Sequence, residues 1–366
     1  MSPINILHLM NSFEDASISR IVLRLIKYLG STEYNWHVGA LNPAGKMRAE
    51  YSQSGAQVVD FSKQNGSAEI KSYIQERNIQ IVHTHTPRTI LKVVLAQPAN
   101  VIHISTKHLL FAPQDRNWGL FHALWDRFSL YLPNQIVAVS GTMYAQILSQ
   151  PGMQKNRVAL VRNAIPVEQF YVPEQREAFR AELGLSADTL LIGYSGRLNQ
   201  VKRIDLLLLA FSQVLAQFPQ AHLILAGEGN LKPQLQTYAV HLGLEQAITW
   251  LGFSSEIPRF LAALDVYVQP SLNEGLSLSI LEAMAARQPI IATQVGGANE
   301  VLLNEENGLL IPAGSASAIS HALIELLGSP QKRQALGEAA QQRVRKEFNI
   351  QAMATAYGST YQKWVS

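Results

Sequence analysis

The 366-residue chain contains no cysteine. Disulfides, thiolate metal sites and a cysteine nucleophile are excluded, and a cytosolic location is the expectation. Charge is sparse as well: 16% of residues are charged, against roughly 25% in ordinary soluble domains. Long, wholly buried strands produce such a deficit. The charges nearly cancel, 30 basic against 27 acidic for a net of +3. Bulk charge therefore does not point to nucleic acid, and no arginine–aromatic motif does either. No apolar run approaches the ~20 residues needed to span a bilayer. The richest, Ile204 to Phe211, is broken by Asp205. The first ten residues lack a basic segment and read as a strand, not a signal peptide. Gly-x-x-x-x-Gly-Lys-Ser/Thr is absent, which removes a P-loop. No repeat of the solenoid kind is evident.

What is present is alternation. Short apolar strands and longer amphipathic segments follow one another from end to end, which implies βαβ units and parallel sheets. Strands are expected at 4–10, 36–41, 57–61, 80–85, 101–106, 135–140 and 158–161. Ser17–Leu29 is helical, with Ile18, Ile21, Val22 and Leu25 on one face. The stretch Pro166 to Leu185 is polar and carries two prolines, and a domain boundary is placed there. A second strand series then runs at 190–195, 221–226, 248–252, 266–269, 289–292 and 308–311, followed by helices over 316–327, 330–347 and 350–365. The expected fold is α/β, with two doubly wound parallel-sheet domains, 1–170 and 171–349, facing a cleft. Ligands of such sheets bind outside the carboxyl ends of the strands, so the residues just after each strand matter most.

Two strand-to-helix loops carry chemistry. After the strand 190–195 comes Gly196, Arg197 and, five residues on, Lys202, and then a helix marked by Ile204, Leu207, Leu208, Phe211 and Val214. A glycine loop leading into a helix N-terminus is an anion site, because free N–H groups and the dipole both favour negative charge. The plainer account is two solvated charges near a turn. After the strand 266–269 comes Ser271, Asn273, Glu274 and Gly275, with Glu282 about two turns into the next helix. Carboxylates accept well from paired sugar hydroxyls. The plainer account is one Glu placed for the helix dipole and a second on a solvated face.

In combination these residues resemble a known family. Glu274 to Ala285, with Pro289 to Thr293 and Gly296–Gly297, is similar to the signature of the family 4 retaining glycosyltransferases of the GT-B fold. Gly196, Arg197 and Lys202 match that family's diphosphate loop. Ala226 to Gly229, Leu251–Phe253 and Ala263 to Val266 fall in its order and spacing. The likeness covers nearly the whole C-terminal half. The N-terminal half agrees in outline, at Ile81 to His85, Thr106 to His108, Val137 to Ser140 and Val161 to Asn163.

The resemblance implies a transferase moving a sugar from a nucleotide-diphosphate donor to a carbohydrate, lipid-linked or small-molecule acceptor, as in polysaccharide biosynthesis. It implies that Arg197 and Lys202 hold the diphosphate, that Glu282 takes the ribose hydroxyls and that Glu274 orients the sugar, helped by Gly275, Leu276 and Ser277. Gly196, Gly227, Glu228, Leu251, Gly252 and Phe253 would line the nucleotide. His108 would face the donor sugar. The family works without a divalent metal, and no Asp-x-Asp motif is present here; no cofactor is expected. Its final helix crosses back to the N-terminal domain, which is the expectation for 350–366. One departure stands out. Many relatives have Gly-Gly in the loop after the first strand, whereas this chain has Ala16–Ser17 on the acceptor side, and glycine permits close approach more readily than either.

His83 and His85 alternate on one strand and point the same way, with His103 and His108 nearby, but no third ligand stands at a convincing position and no metal is expected. The segment 115–132 mixes Arg116, Trp118, Phe121, His122, Trp125, Arg127, Phe128 and Tyr131. It reads as a helix packing an aromatic stripe on its own sheet, or as peripheral contact with the inner face of a membrane. Asp265 is read as structural. The alternatives to a transferase are a nucleotide-sugar epimerase of the same shape, which the Glu274–Glu282 pattern does not fit, and a catalytically weakened nucleotide-sugar binding protein.

Overall fold

The computed structural model describes residues 3–14, 16–62, 66–96, 100–109, 119–186 and 188–365, with the backbone alone described over 119–123. The chain divides into two compact units, Met1–Asn163 with Ile350–Ser366, and Ala164–Asn349.

In the first unit the elements run β1 (Ile4–Ser12), α1 (Ser17–Leu29), β2 (Tyr34–Asn42), α2 (Met47–Gln53), β3 (Gln57–Asp60), α3 (Gly66–Glu76), β4 (Ile81–Thr84), α4 (Pro87–Ala96), β5 (Ile102–Lys107), α5 (Gly119–Phe128), β6 (Gln135–Ala138), α6 (Gly141–Leu148) and β7 (Val158–Leu160). The second runs α7 (Arg176–Glu182), β8 (Leu190–Ser195), α8 (Ile204–Leu215), β9 (Ala221–Ala226), α9 (Lys232–His241), β10 (Ile248–Gly252), α10 (Ile257–Ala263), β11 (Val266–Gln269), α11 (Leu278–Ala285), β12 (Ile290–Thr293), α12 (Ala298–Val301), β13 (Leu309–Ile311), α13 (Ala316–Leu327) and α14 (Pro330–Glu347). The final helix, α15 (Ile350–Gln362), returns to the first unit.

Both sheets are parallel. The first has the order β3-β2-β1-β4-β5-β6-β7 and the second β10-β9-β8-β11-β12-β13. In each, the first strand in sequence sits centrally with partners on either side. That is where the winding direction reverses and a crevice opens beyond the strand ends. The architecture is the expected pair of Rossmann-like domains.

Side-chain alternation builds the cores. Leu7 and Leu9 of β1 join Val82 of β4, Ile70 and Ile74 of α3 and Val93 of α4 on one sheet face. The opposite face of β1 carries His8, which is paired in register with His83 of β4. In the second unit, Ile204, Leu207, Leu208, Phe211 and Val214 of α8 are all buried against β8, β9 and α13. Each such side chain contributes about 1.5–3 kcal/mol relative to exposure.

Helix α15 has a specific seat. Met353, Ala354, Tyr357 and Tyr361 are buried, and the helix packs on α1. The Tyr361 hydroxyl lies 2.8 Å from His83 Nδ1, and the Tyr357 hydroxyl lies 3.1 Å from Thr106 Oγ1. The helix thus closes the histidine-bearing face of the first sheet.

Candidate active site

The two loops singled out from sequence leave adjacent strands of the second sheet, because β8 pairs directly with β11. Main-chain bonds fix their shape. Gly196 N–H donates to Ala226 and Leu198 N–H to Glu228, both at 2.9 Å, joining the β8 and β9 loops. Leu272 N–H donates to Val201 at 2.8 Å, joining the Lys202 turn to the β11 loop. These approaches are close enough to need glycine. A Cβ on Gly227 would stand 1.9 Å from the Gly196 carbonyl oxygen, and one on Gly296, at φ +51°, would stand 1.8 Å from that of Glu274.

The result is a charged pair at the switch point. Lys202 Nζ lies 2.5 Å from Glu274 Oε1. Gln269 Nε2 donates to the same oxygen at 2.6 Å, and Ser271 Oγ donates at 2.7 Å. Burial raises the Glu274 pKa, but Lys202 and then the donors from Ser271 and Gln269 outweigh it, leaving the carboxyl below its ordinary value. Arg197 is exposed, and its side chain makes no hydrogen bond or ion pair among the described residues. The Tyr194 hydroxyl donates to the Arg197 carbonyl at 3.1 Å and supports the loop from beneath.

Glu282 is 3% exposed, in a helix buried on most sides. A solvated helix face is therefore ruled out for it. The Tyr267 phenol nearby is pushed up by burial, and the Glu282 charge acts in the same direction. Among the other expected nucleotide-lining positions, Gly252, Gly275, Leu276 and Ser277 are buried, Leu251 is half-buried, and Phe253 is 46% exposed. Glu228 pairs with Lys232 at 2.7 Å. Sequence reading placed Ser271 in this loop but gave neither it nor Gln269 a role. Their signal was present in the i, i+2 spacing at the end of β11, but their convergence on Glu274 depends on how the loop folds back.

In the first unit, the loop after β1 places Ala16 at φ −139°, ψ 169° ahead of α1. This is extended backbone open to any residue, so the described conformation does not demand glycine there. Ser17 is the first residue of α1. His108 follows β5, and its Nε2 lies 3.2 Å from His85 Nδ1. His85 Nε2 in turn lies 3.0 Å from His8 Nδ1. His8 is the third imidazole that sequence reading did not find, since its place beside His83 depends on parallel pairing across 75 residues. One ring nitrogen from each of His8, His83 and His85 can be chosen so that the three lie within 4.8 Å of one another.

Two family models account for most of the chain. Residues 175–343 match glycosyl transferases group 1, and residues 18–169 match glycosyltransferase family 4. The chain belongs to the family 4, group 1 glycosyltransferases. It is 26% identical over 293 residues to the lipopolysaccharide core biosynthesis mannosyltransferase LpsB of Rhizobium meliloti, covering 78% of this chain and 77% of that protein. It is 27% identical over 321 residues to the alpha-maltose-1-phosphate synthase of Mycolicibacterium smegmatis, covering 81% and 82%. Its fold is similar to that of Anabaena HepE, solved in complex with UDP and glucose, with a TM-score of 0.88, 20% identity and coverage of 98% of this chain and 99% of that one.

Other expectations for this glycosyltransferase resolve locally. Asp265 is structural: it pairs with Arg176 at 2.7 Å and Arg180 at 3.3 Å, and it accepts from Leu191 N–H at 2.7 Å. It therefore staples α7 to β8. Of the aromatic–basic segment, Arg116 and Trp118 and the side chains of Phe121 and His122 lie outside the described residues. Trp125 packs against Phe128, and Leu124 and Phe128 are exposed. Among the described residues no helix is long and apolar enough to cross a membrane.

Proposed function

We propose that this glycosyltransferase moves a sugar from a nucleotide-diphosphate sugar with retention of anomeric configuration. The observation that carries the reading is the Lys202–Glu274 pair at the sheet's switch point, with Arg197 free beside it on the same loop. Arg197 and Lys202 neutralise the departing diphosphate, and Glu274 orients the sugar whose glycosidic bond breaks through an oxocarbenium-like state. Glu282 takes the ribose hydroxyls. Neither Ser277 before α11 nor Arg203 before α8 caps its helix with its side chain, so both helix starts keep N–H groups for an anion. Two fixed cations supply what a divalent metal supplies elsewhere, so we assign no metal.

The comparisons support the substrate classes. HepE was solved with UDP and glucose, which supports a nucleotide diphosphate donor. LpsB acts in lipopolysaccharide core biosynthesis, which supports a carbohydrate or lipid-linked acceptor. In this reading the first unit, with Ala16–Ser17 and His108, serves the acceptor and the donor sugar, and residues 171–349 bind the nucleotide.

The test is a thermal-shift and transfer screen over UDP-, GDP- and ADP-sugars. A cognate donor at 100 times its Kd should add about 2.7 kcal/mol of stability, and product should form with at least one acceptor sugar. Tight donor binding with no transfer or hydrolysis from any donor would replace the transferase by a binding protein.

A further inference from the structure

Three histidines from three strands of the first sheet form a line. His8 is on β1, His85 follows β4 and His108 follows β5. The contacts are His8 Nδ1 to His85 Nε2 at 3.0 Å and His85 Nδ1 to His108 Nε2 at 3.2 Å. His85 thus spends both ring nitrogens on histidines. His83 stacks on His85 at 4.5 Å but stands outside the line, because Tyr361 and Thr106 occupy its two nitrogens, each at 2.8 Å.

A metal ion would be a poor tenant of this cluster. It would sit in a fully buried site with no anionic ligand among the described residues, leaving a double positive charge uncompensated. It would also have to displace the hydroxyl partners of His83 or break the line.

The line has a consequence for protons. Burial disfavours the imidazolium form of each ring, so each carries one proton. Each N···N contact then needs one proton, and the tautomers of all three rings are coupled. Two arrangements satisfy both contacts. In one, His108 Nε2–H donates to His85, His85 donates to His8, and His8 is left with an Nε2–H. That nitrogen has no partner among the described residues and is buried. In the other, His8 Nδ1–H donates to His85 Nε2, His85 Nδ1–H donates to His108 Nε2, and the unpartnered atom of His8 is a bare lone pair. Orphaned buried N–H groups are the rarer and costlier case, so the second arrangement is favoured.

We propose that His85, backed by His8, is a positioning residue that fixes His108 as the Nδ1–H tautomer, so that the ring offers its substrate a hydrogen-bond donor at a set orientation. The consequence for turnover rests on the reading above that His108 meets the donor sugar. A donor held at Nδ1 suits a sugar hydroxyl or ring oxygen. A ring free to change tautomer would offer an acceptor part of the time.

The test is a long-range 15N–1H correlation spectrum of histidine-labelled full-length protein at pH 7.5, beside steady-state kinetics. Wild type should show His108 with a protonated Nδ1 and an unprotonated Nε2. His85→Leu should shift His108 toward the Nε2–H form or a mixture, and should lower kcat by about 10- to 100-fold, with KM changed less than about 2-fold. His85→Asn keeps an N–H near the position of Nδ1 and should restore the His108 tautomer and much of kcat. A single Nε2–H form of His108 in wild type overturns the proposal, as does an unchanged His108 tautomer in a folded His85→Leu. If the tautomers behave as stated but His108→Ala turns over like wild type, the line stands and the catalytic reading of His108 falls.

Discussion

Lys202 Nζ and Glu274 Oε1 meet at 2.5 Å across two loops that are 72 residues apart in sequence. The pair joins the residue expected on the diphosphate to the one expected on the sugar. It also means that neither can be removed without stranding the other.

Arg197 and Lys202 should therefore respond differently to truncation. Arg197 is exposed and free among the described residues, so Arg197→Ala should leave stability within about 0.5 kcal/mol while lowering kcat/KM by about 10²-fold or more. Lys202→Ala should lower kcat/KM as strongly and also cost roughly 1–3 kcal/mol, because it leaves a largely buried carboxylate, 11% exposed, without its counter-ion. Kinetics beside melting temperature decide the matter; wild-type turnover in either variant removes the phosphate role.

The same pair sets a pH dependence. The folded-state pKa of Glu274 is depressed despite burial, because Lys202 and two hydrogen-bond donors hold the anion. Its contribution to stability is therefore present above the ordinary carboxyl range and is lost as pH falls through the depressed value. With Lys202 gone, only burial and the two donors remain, and the carboxyl should titrate at higher pH. In Lys202→Ala the acidic limb of the residual activity should move upward; an unmoved limb would show that Glu274 does not titrate in that profile.

Glu282→Ala should weaken binding of the free nucleoside diphosphate and raise KM, because a group that holds ribose does so in ground and transition states alike. Glu274→Ala should bind the nucleotide nearly as wild type and lose kcat, since contacts near the breaking bond grow toward the transition state. Calorimetric titration with the nucleoside diphosphate separates them, and the opposite pattern reverses the two roles.

Acid should destabilise the first unit before it protonates most carboxylates. Burial lowers His8 to about 3, and His103 and His108 to about 4, and it holds His83 and His85 well below 6.5. The unfolded chain takes up these protons near pH 6.5 and the folded chain does not. Each histidine thus removes up to about 1.4 kcal/mol of stability per pH unit on descending from 6.5 toward its folded value. Melting temperature should fall steeply between pH 6.5 and 5. A flat curve over that window means the rings are not buried neutral.

Deleting residues from Ile350 onward should unprotect the first unit. Tyr357 and Tyr361 are fully buried, and their hydroxyls meet Thr106 and His83, so their loss uncovers the histidine face. Hydrogen exchange of β1, β4 and β5 amides should rise. Unchanged protection there, with loss confined to 164–349, would assign the helix to the other unit.

Much of this was legible in sequence because it is local. The strand 190–195, the helix 204–215 and the helices 316–327 and 330–347 stand where periodicity placed them, since the pattern of burial along an element is written in its own residues. The glycine loops and the family's charged residues are likewise contiguous and readable. What tertiary structure alone decided are the meetings. Glu282 could have faced water or core; a helix buried on most sides settled that. Glu274 was visible as a loop carboxylate, but Lys202, Gln269 and Ser271 reach it only after β8 and β11 pair. His8 looked like any strand residue until parallel registration set it beside His83 and within reach of His85. Parallel strands are joined through crossover connections rather than tight hairpins, so no local spacing encodes which residues become neighbours. The sequence by itself determined the elements and the chemical inventory, and the order of strands in each sheet determined which of those groups touch.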